Sequence, residues 1–379
     1  MGFAFEKYPF EKLRELLADV TPNPAYSPVV LTVGEPKFDT PALITESVCR
    51  EAPKFRYYPK SAGETELNDA MLGFVKRRFG VELSTEELIP TLGTREVLFN
   101  FPQYLLFDKP SPVMAYTNPF YQIYEGAAIA SRAKVHTLEL TEANGFKPEI
   151  DKKLLAECDL VILNFPNNPT GSVMGMEEMV TWVRLAQELD FVLLNDECYS
   201  EIYMDTPPIS ILEAAVEAGV KDFHNILALN SISKRSSAPG LRSGFIAGDR
   251  EILKGYMQYR TYVGAAPGLP LQLAAAAAWN DEAHVEGFRQ MYCKNAALAA
   301  EILDYPKIDA TFYVWLKVGD DKEAARKLLK DFNITVLPGS FLGRKGAGEG
   351  YIRIALVESE EVMRDALTRL KKFIDEEGI

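Results

Sequence analysis

Polar side chains suited to chemistry come directly after three apolar runs in the middle of the chain. They provide an amide, a carboxylate, a phenol, a hydroxyl, an amine and a guanidinium: Asn168, Asp196, Tyr199, Ser231, Lys234 and Arg242. An amine can hold an aldehyde cofactor covalently, and a buried carboxylate favours the protonated form of a ring nitrogen. A guanidinium and a hydroxyl suit a phosphate, while a phenol and an amide can donate to a ring oxygen. Together these residue types predict a site for a ligand with a phosphate, a ring nitrogen and a reactive aldehyde.

Two segments upstream extend this predicted site. Thr94 and Arg95 stand just before a run of helical spacing at 97–107, and backbone N–H groups at the start of a helix bind phosphate well. Pro102 lies inside that run, so we expect a kink there. Tyr121 follows another apolar run, and its ring could stack against the ring of the ligand.

The same residues also have purely structural interpretations. Asp196 could cap a helix, and the segment 168–171 could form a turn without any ligand. Tyr121 could belong to the core, and Arg353 could be a solvated charge on a strand. The functional interpretation is favoured because so many of these side chains follow the ends of predicted neighbouring strands.

The elements that must position these residues are short apolar runs separated by segments of helical spacing. The runs are too uniformly apolar for strands with one wet face, and they lie at 113–116, 160–165, 191–195, 226–230 and 244–247. They are typical of central parallel strands covered by helices on both sides. Segments between them, such as 176–189, have the spacing of amphipathic helices. The pattern predicts an open α/β sheet with the site at the carboxyl ends of its strands.

The chain changes character in its last third. Helical patterns at 271–303, 322–332 and 360–377 alternate with predicted strands at 311–318 and 351–355. We therefore predict a smaller α+β domain, with the boundary between Arg260 and Pro270. The predicted organisation is an arm over 1–35 that packs with the small domain, a large ligand-binding domain over 36–268, and the small domain over 269–379.

Composition excludes several classes of function. The 379 residues carry a formal net charge of -13 without a cluster of Lys and Arg, which disfavours a nucleic-acid partner. The four cysteines and three histidines are scattered, which predicts free thiols and no metal site. The N-terminal segment has no apolar signal region, and no stretch reaches the length of a membrane span. We therefore expect a cytoplasmic protein without a membrane partner.

The order and spacing of these motifs resemble the fold type I pyridoxal-phosphate enzymes, specifically the class I/II aminotransferases. The resemblance covers nearly the whole chain. It rests on VGEP at 33–36, YP at 58–59, GTR at 93–95, PFY at 119–121, NPTG at 168–171, Asp196, Tyr199, SISK at 231–234, Arg242 and Arg353. Each motif alone is weak, and the set is specific.

This resemblance implies pyridoxal 5'-phosphate as the cofactor and a role for each matching residue. Lys234 would bind the cofactor covalently and move the proton at the substrate Cα, and Asp196 would pair with the ring nitrogen. The other implied cofactor contacts are phosphate binding by Thr94, Arg95, Ser231 and Arg242, stacking by Tyr121, and contacts from Asn168 and Tyr199 to the ring oxygen. Arg353 would bind the substrate carboxylate, with help from Asn168 and the Gly34 backbone. Tyr58 would reach the phosphate of a neighbouring subunit, which implies a homodimer with shared active sites.

Longer segments are similar to the proteobacterial N-succinyldiaminopimelate aminotransferases of lysine biosynthesis. They are NPFYQIYEGA at 118–127, DECYSEIY at 196–203, SKRS at 233–236, YRTY at 259–262 and WNDEAHV at 279–285. This similarity implies amino transfer between L-glutamate and N-succinyl-2-amino-6-oxopimelate. Both substrates carry a second acidic group, for which Arg235, Arg260 and Tyr262 are candidate partners.

Three alternatives stay open from the sequence. An aminotransferase for aspartate, an aromatic amino acid or acetylornithine would need the same residues, and so would a β-lyase, which only its products would distinguish. A non-catalytic effector-binding module of a regulator would carry an added DNA-binding segment. Nothing basic precedes the arm, and Lys234, Asp196 and Arg242 are all present, so the sequence favours an enzyme.

Overall fold

A computed structural model describes residues 5–379, so residues 1–4 of the predicted arm lie outside the described part. The strands in this part are β1 (Val29–Val30), β2 (Leu88–Thr91), β3 (Val113–Asn118), β4 (Lys134–Glu139), β5 (Leu160–Leu163), β6 (Val192–Asp196), β7 (Ile226–Ser231), β8 (Gly244–Gly248), β9 (Tyr313–Lys317), β10 (Ile334–Thr335), β11 (Leu337–Pro338) and β12 (Tyr351–Ala355). The α-helices are α1 (Pro9–Leu16), α2 (Ala42–Glu51), α3 (Thr65–Phe79), α4 (Thr94–Leu105), α5 (Ile123–Ala130), α6 (Lys152–Leu155), α7 (Met176–Leu189), α8 (Ile211–Glu217), α9 (Ile232–Arg235), α10 (Arg250–Val263), α11 (Leu269–Asn280), α12 (Ala283–Leu303), α13 (Asp321–Phe332) and α14 (Glu360–Glu377).

The large domain is built on a seven-stranded sheet with the order β2-β8-β7-β6-β5-β3-β4. Strands β3 to β7 are mutually parallel, and β5, β6 and β7 are buried at every position. Burial on both faces explains why these strands read as continuous apolar runs. The predicted α/β class with a mostly parallel central sheet is confirmed.

Two features of this sheet differ from the prediction. Strand β8, predicted as parallel at 244–247, is antiparallel to both of its neighbours. The prediction was wrong because the sequence of an apolar run does not indicate the direction of the strand. The edge strands β2 and β4 were not predicted at all. The first contains Pro90, which an edge strand tolerates, and the second is a mixed run, KVHTLE, with mostly half-exposed positions.

The small domain packs helices α12, α13 and α14 against an antiparallel sheet with the order β11-β12-β9. The arm joins this domain in two places. Strand β1 pairs in parallel with β10, and Leu13 of α1 is buried in a cluster with Trp315 and Leu337. The arm therefore packs with the small domain.

The junction between the domains lies later in the chain than the predicted boundary between Arg260 and Pro270. Helix α11 packs on α2 and α3, and Trp279 lies 4.9 Å from the Phe74 ring and 5.3 Å from the Phe245 ring, centroid to centroid. The alanine run of α11 is buried in the large-domain core. The chain thus leaves the large domain between α11 and α12, because small side chains let α11 pack closely there.

Candidate active site

A cavity of about 430 Å³ opens where the carboxyl ends of the parallel strands face the small domain and the arm. The predicted site residues that line it are Gly34, Thr94, Arg95, Tyr121, Asn168, Asp196, Tyr199, Ser231, Lys234, Arg242 and Arg353. Ligands of open parallel sheets bind at this edge. The structure therefore brings into one cavity residues that are more than 300 positions apart in the chain.

Asp196 is the last residue of β6 and is buried at the base of the cavity. Its carboxylate accepts hydrogen bonds from the Tyr124 hydroxyl at 2.9 Å and from the Cys198 backbone N–H at 3.3 Å. Burial raises the pKa of this carboxyl, since no basic side chain in the described part of the chain pairs with it. A buried carboxylate without a cationic partner fits a ligand that brings its own positive charge, such as a protonated ring nitrogen.

Lys234 lies in α9, directly after β7, and its Nζ donates to the Gly34 carbonyl oxygen of the arm. Burial lowers the pKa of Lys234 to about 8, and the nearby Arg353 and Arg242 guanidinium groups add to the lowering. Part of the lysine population is therefore a neutral amine near neutral pH. A neutral amine is the form that attacks an aldehyde or accepts a proton.

Three features that suit an anion meet at one end of the cavity. Thr94 begins α4, so the unpaired N–H groups of this helix start there. The Arg242 guanidinium donates to the Pro239 oxygen at 2.7 Å and the Leu92 oxygen at 3.3 Å. A side chain at Gly93 would overlap this guanidinium, and Gly93 has a φ of 72° that other residues rarely adopt. Together with the Ser231 hydroxyl, this arrangement fits a phosphate.

The Arg95 side chain contacts Tyr121, and we call the part of the cavity lined by Tyr8, Arg95 and Tyr121 its mouth. The Arg95 Nε donates to the Tyr121 hydroxyl at 2.9 Å, and its guanidinium carbon lies 6.0 Å from the Tyr121 ring centroid. Tyr8 of the arm also interacts with Tyr121 and lines the cavity. Arg95 is exposed, and among the described residues it has no carboxylate partner. Its guanidinium can therefore still receive an acidic group that enters through the mouth.

Arg353 reaches the cavity from β12 of the small domain. Its guanidinium donates to Asn168 Oδ1 at 2.8 Å and to the Thr32 oxygen at 2.7 Å, and it lies 4.5 Å from the Tyr313 ring centroid. Its Nε is buried and makes no hydrogen bond. A buried guanidinium with a free donor, held by an amide beside Lys234, fits the carboxylate of an amino acid.

The candidates for a second acidic group fall outside the cavity. Arg235 is buried and pairs with Glu282 at 3.1 Å, while Arg260 pairs with Glu96 at 2.6 Å. Both interpretations as substrate contacts are wrong, because these guanidinium groups are buried, pair with carboxylates of the protein and do not line the cavity. Tyr262 and Tyr58 do not line the cavity and are 94% and 100% exposed.

Several residues of the site were not predicted. Tyr124 holds Asp196, Tyr313 shares a hydrogen bond of 3.0 Å with Tyr199 through their hydroxyls, and Tyr8 lies at the mouth. Cys198, predicted as a buried free thiol, is half-buried and free, and its Sγ lies 3.2 Å from Thr94 Oγ1. Tyr124 lies in the first turn of α5, three residues after Tyr121, so its nearness to a predicted site residue could have indicated it. Tyr8 directly precedes α1 in the arm and Tyr313 begins β9 in the small domain, so neither follows the carboxyl end of a strand of the large sheet.

Residues 5–379 lack the features of a membrane span and of a metal site. None of the helices there has the length and apolar character needed to cross a membrane. Nor do three His, Cys, Asp or Glu side chains of this part meet in an arrangement that could bind a metal ion.

Comparison with known proteins identifies the family. The family model of aminotransferase class I and II matches residues 27–370. The structure is similar to an aminotransferase, AspB, of Helicobacter pylori, with 47% identity, a TM-score of 0.96, and 98% and 99% of the two chains covered. An aminotransferase of Neisseria meningitidis is 38% identical with a TM-score of 0.92, over 98% of both chains. An LL-diaminopimelate aminotransferase of Aquifex aeolicus is 31% identical over 90% of each chain. With this match and a cavity that suits an aldehyde, a phosphate and a ring nitrogen, the chain belongs to the class I and II aminotransferases, which depend on pyridoxal phosphate.

Proposed function

We propose that the protein transfers an amino group between L-glutamate and N-succinyl-2-amino-6-oxopimelate, as a succinyldiaminopimelate transaminase of lysine biosynthesis. The observation that carries this proposal is a pair of guanidinium groups in one cavity. Arg353 is buried beside Asn168, and Arg95 is exposed at the mouth without a carboxylate partner in the described chain. A substrate with acidic groups at both ends would pair with both.

The proposed roles of the other residues follow from their places in the cavity. Pyridoxal phosphate, when bound, supplies an electron sink that makes the substrate Cα–H acidic. Lys234 would hold the cofactor aldehyde and, once released by the amino donor, take the Cα proton with its neutral amine. Asp196, oriented by Tyr124, would stabilise the charged ring nitrogen. The remaining proposed cofactor contacts are Thr94, Ser231 and Arg242 on the phosphate, Tyr121 on the ring face, and Tyr199 and Asn168 on the ring oxygen.

Substrate orientation would depend on residues from three parts of the chain. Arg353 would bind the α-carboxylate, with Asn168 and the Gly34 backbone beside it. We assign Arg95 to the second acidic group rather than to the phosphate, because its guanidinium is directed to Tyr121 at the mouth. Two fixed carboxylates would hold the Cα–H bond in one orientation relative to Lys234. This orientation would accelerate the transfer of the Cα proton to the lysine amine.

We also propose that the protein acts as a homodimer. Aromatic side chains project into solvent from two segments of one chain: Phe55, Tyr57, Tyr58 and Tyr262. Large aromatic side chains exposed to this degree suit contact with another protein chain. In the dimer, Tyr58 would reach the phosphate in the other subunit, as the family resemblance implies.

A single half-reaction tests the proposed function. Purified protein loaded with pyridoxal phosphate is mixed with N-succinyl-LL-diaminopimelate, and the cofactor absorption is followed in time. We expect rapid conversion to the pyridoxamine spectrum, and no conversion by a Lys234→Ala variant prepared in parallel. If glutamate converts the cofactor and the succinylated compound does not, the proposed acceptor is wrong. If Lys234→Ala converts it at a near-normal rate, the role of Lys234 is wrong.

A second candidate substrate is free LL-diaminopimelate, the substrate named for a relative that is 31% identical to this chain. Its distal end carries an ammonium group as well as a carboxylate, whereas the succinylated compound has no such cation. Arg95 at the mouth would repel the ammonium, so we expect slower conversion of the free compound. Faster conversion of free LL-diaminopimelate in the same experiment would favour the second candidate.

A further inference from the structure

The junction between the two domains touches the segment that carries Lys234. Helix α11 ends at Asn280, and α12 begins at Ala283 and runs into the small domain. Helix α9, which contains Lys234, is only four residues long. Such a short helix has little stability of its own, so its neighbours must hold it in place.

Two contacts connect this junction to the residues that directly follow Lys234. Glu282 pairs with Arg235 at 3.1 Å, and Arg235 also donates to the Ala278 oxygen at 3.1 Å. His284, in the first turn of α12, places its Nε2 at 2.8 Å from the Ser236 hydroxyl. The junction therefore holds the chain immediately after the lysine on two sides.

A carboxylate on the junction fixes the orientation of the His284 ring. Asp281 Oδ1 lies 2.5 Å from His284 Nδ1 and also accepts the His284 backbone N–H at 3.0 Å. A carboxylate accepts, so Nδ1 carries the proton and Nε2 accepts from the Ser236 hydroxyl. Burial lowers the pKa of His284, which keeps the ring neutral and this direction of donation intact.

The order Ser236, His284, Asp281 is that of a serine hydrolase triad, but it cannot work as one. Ser236 has 0% exposure, so no substrate can reach its hydroxyl. The chain of hydrogen bonds joins two parts of the protein instead. One end is the segment of Lys234, and the other is the start of the helix that leads to the small domain.

We propose that His284 is a positioning residue, which keeps the Lys234 segment aligned with the small domain through Ser236 and Asp281. The inference rests on the proposed attachment of the cofactor to Lys234. The small domain carries Arg353, and the arm that pairs with it carries the Gly34 oxygen that accepts from Lys234. The lysine is thus held from both sides, and the Ser236–His284 bond is the connection through the junction.

The test compares His284→Ala, Ser236→Ala and the double variant with the wild-type protein, all loaded with pyridoxal phosphate. The readouts are the pH titration of the cofactor absorption band, the kinetic constants and the melting temperature. We expect each single variant to shift the apparent pKa of the lysine–cofactor linkage by about half a unit or more. We expect kcat to fall roughly threefold to tenfold with little change in KM, since binding groups are untouched.

Two controls separate positioning from general stability. The double variant should match the single variants, because residues in one hydrogen-bond chain are not additive. His136→Ala removes another histidine–carboxylate pair, with Glu157 at 3.0 Å, away from the junction, and it should leave the titration unchanged. The other titratable or charged groups near Lys234, namely Cys198, Glu35, Arg242 and Arg353, are the same in all variants.

Wild-type titration in both single variants would overturn the inference, even if their melting temperatures fall. So would equal shifts in the His136→Ala control. Ser236→Ala removes a single oxygen atom and keeps the test valid if His284→Ala does not fold. A wild-type protein without any cofactor absorption band would overturn the role of Lys234 as well, which distinguishes the failure of the proposed function from the failure of this inference.

Discussion

The two walls of the cavity are held in different ways. The large-domain wall, consisting of Asp196, Ser231, Lys234 and Arg242, carries charges without ionic partners in the described chain. The opposite wall, consisting of Gly34, Tyr313 and Arg353, also has a charge without an ionic partner in residues 5–379. It differs because Arg353 donates to Thr32 of the arm and to Asn168 of the large domain, and Tyr313 shares a hydrogen bond with Tyr199. The first wall fits the charges of pyridoxal phosphate. The second is arranged by the protein itself and depends on how the domains meet.

Removing the unpaired carboxylate tests the large-domain wall most severely. We expect Asp196→Asn to lower kcat by roughly 10²- to 10³-fold, because a neutral amide no longer stabilises a charged ring nitrogen. The neighbouring Glu197→Gln is a matched control. Burial raises the pKa of Glu197 to about 8, so this group is already neutral at pH 7 and the amide should change little. Equal kcat values for both variants would remove the distinction between the walls.

The unpaired lysine should destabilise the protein without cofactor. The pKa of Lys234 is about 8 in the folded chain and 10.5 ordinarily, so the unfolded chain binds more protons between these values and stability rises with pH there. The Lys234→Met variant has no buried ammonium group, so it lacks this loss of stability. We expect the variant to gain about 3 kcal/mol in free energy of unfolding below pH 8, with the gain vanishing toward pH 10.5. Denaturant unfolding at several pH values measures it.

Lys254→Met, at an exposed position on the same domain, serves as the control for that experiment. A gain for Lys234→Met that stays constant from pH 7 to about 10.5 would come from added apolar packing rather than from the buried charge.

The opposite wall should respond in KM more than in kcat. We expect Arg353→Lys to raise KM for amino donor and acceptor alike by roughly tenfold to thirtyfold, because an ammonium cannot hold Asn168 and a carboxylate in the same geometry. Steady-state kinetics with both substrates measures this effect. Unchanged KM values would show that the α-carboxylate binds elsewhere.

The role of Arg95 at the mouth of the cavity tests whether it binds the second acidic group of the substrate or the cofactor phosphate. Arg95 belongs to the large domain by sequence, yet its contacts lie with Tyr121 at the mouth. We expect Arg95→Gln to raise KM for acidic substrates by about fivefold, since its side chain is exposed and screened. A small neutral amino acid should show no change. If Arg95→Gln instead weakens the affinity for pyridoxal phosphate, Arg95 is a phosphate contact. The control is Arg132→Gln, which changes an exposed arginine elsewhere on the protein.

The large-domain wall could be predicted from the sequence because of how it is made. Strands β5, β6 and β7 are buried on both faces, so each reads as an apolar run with its first polar residues at the strand end. Asp196 is the last residue of β6, while Asn168 and Lys234 follow the ends of β5 and β7, and parallel strands bring such residues together. Local pattern therefore sufficed for this wall.

Other parts depend on contacts that no local pattern records. Arg260 looks like a candidate cation until its partner Glu96, far away in sequence, is known. Tyr8 reaches the mouth only because α1 packs on the small domain. The alanine-rich composition of α11 would suit either domain, so only its packing against α3 assigns it to the large domain.

The pairing of β1 with β10 means that the parts of the active site are completed at different times during synthesis. Chains leave the ribosome N-terminus first, and domains generally fold as units during synthesis. A nascent chain that has reached Gly248 already contains every strand of the large sheet. At that moment β1 still lacks β10, and Arg353 has not been synthesised. The residues proposed to bind the cofactor phosphate and ring are thus synthesised before Arg353, which is proposed to select an amino acid.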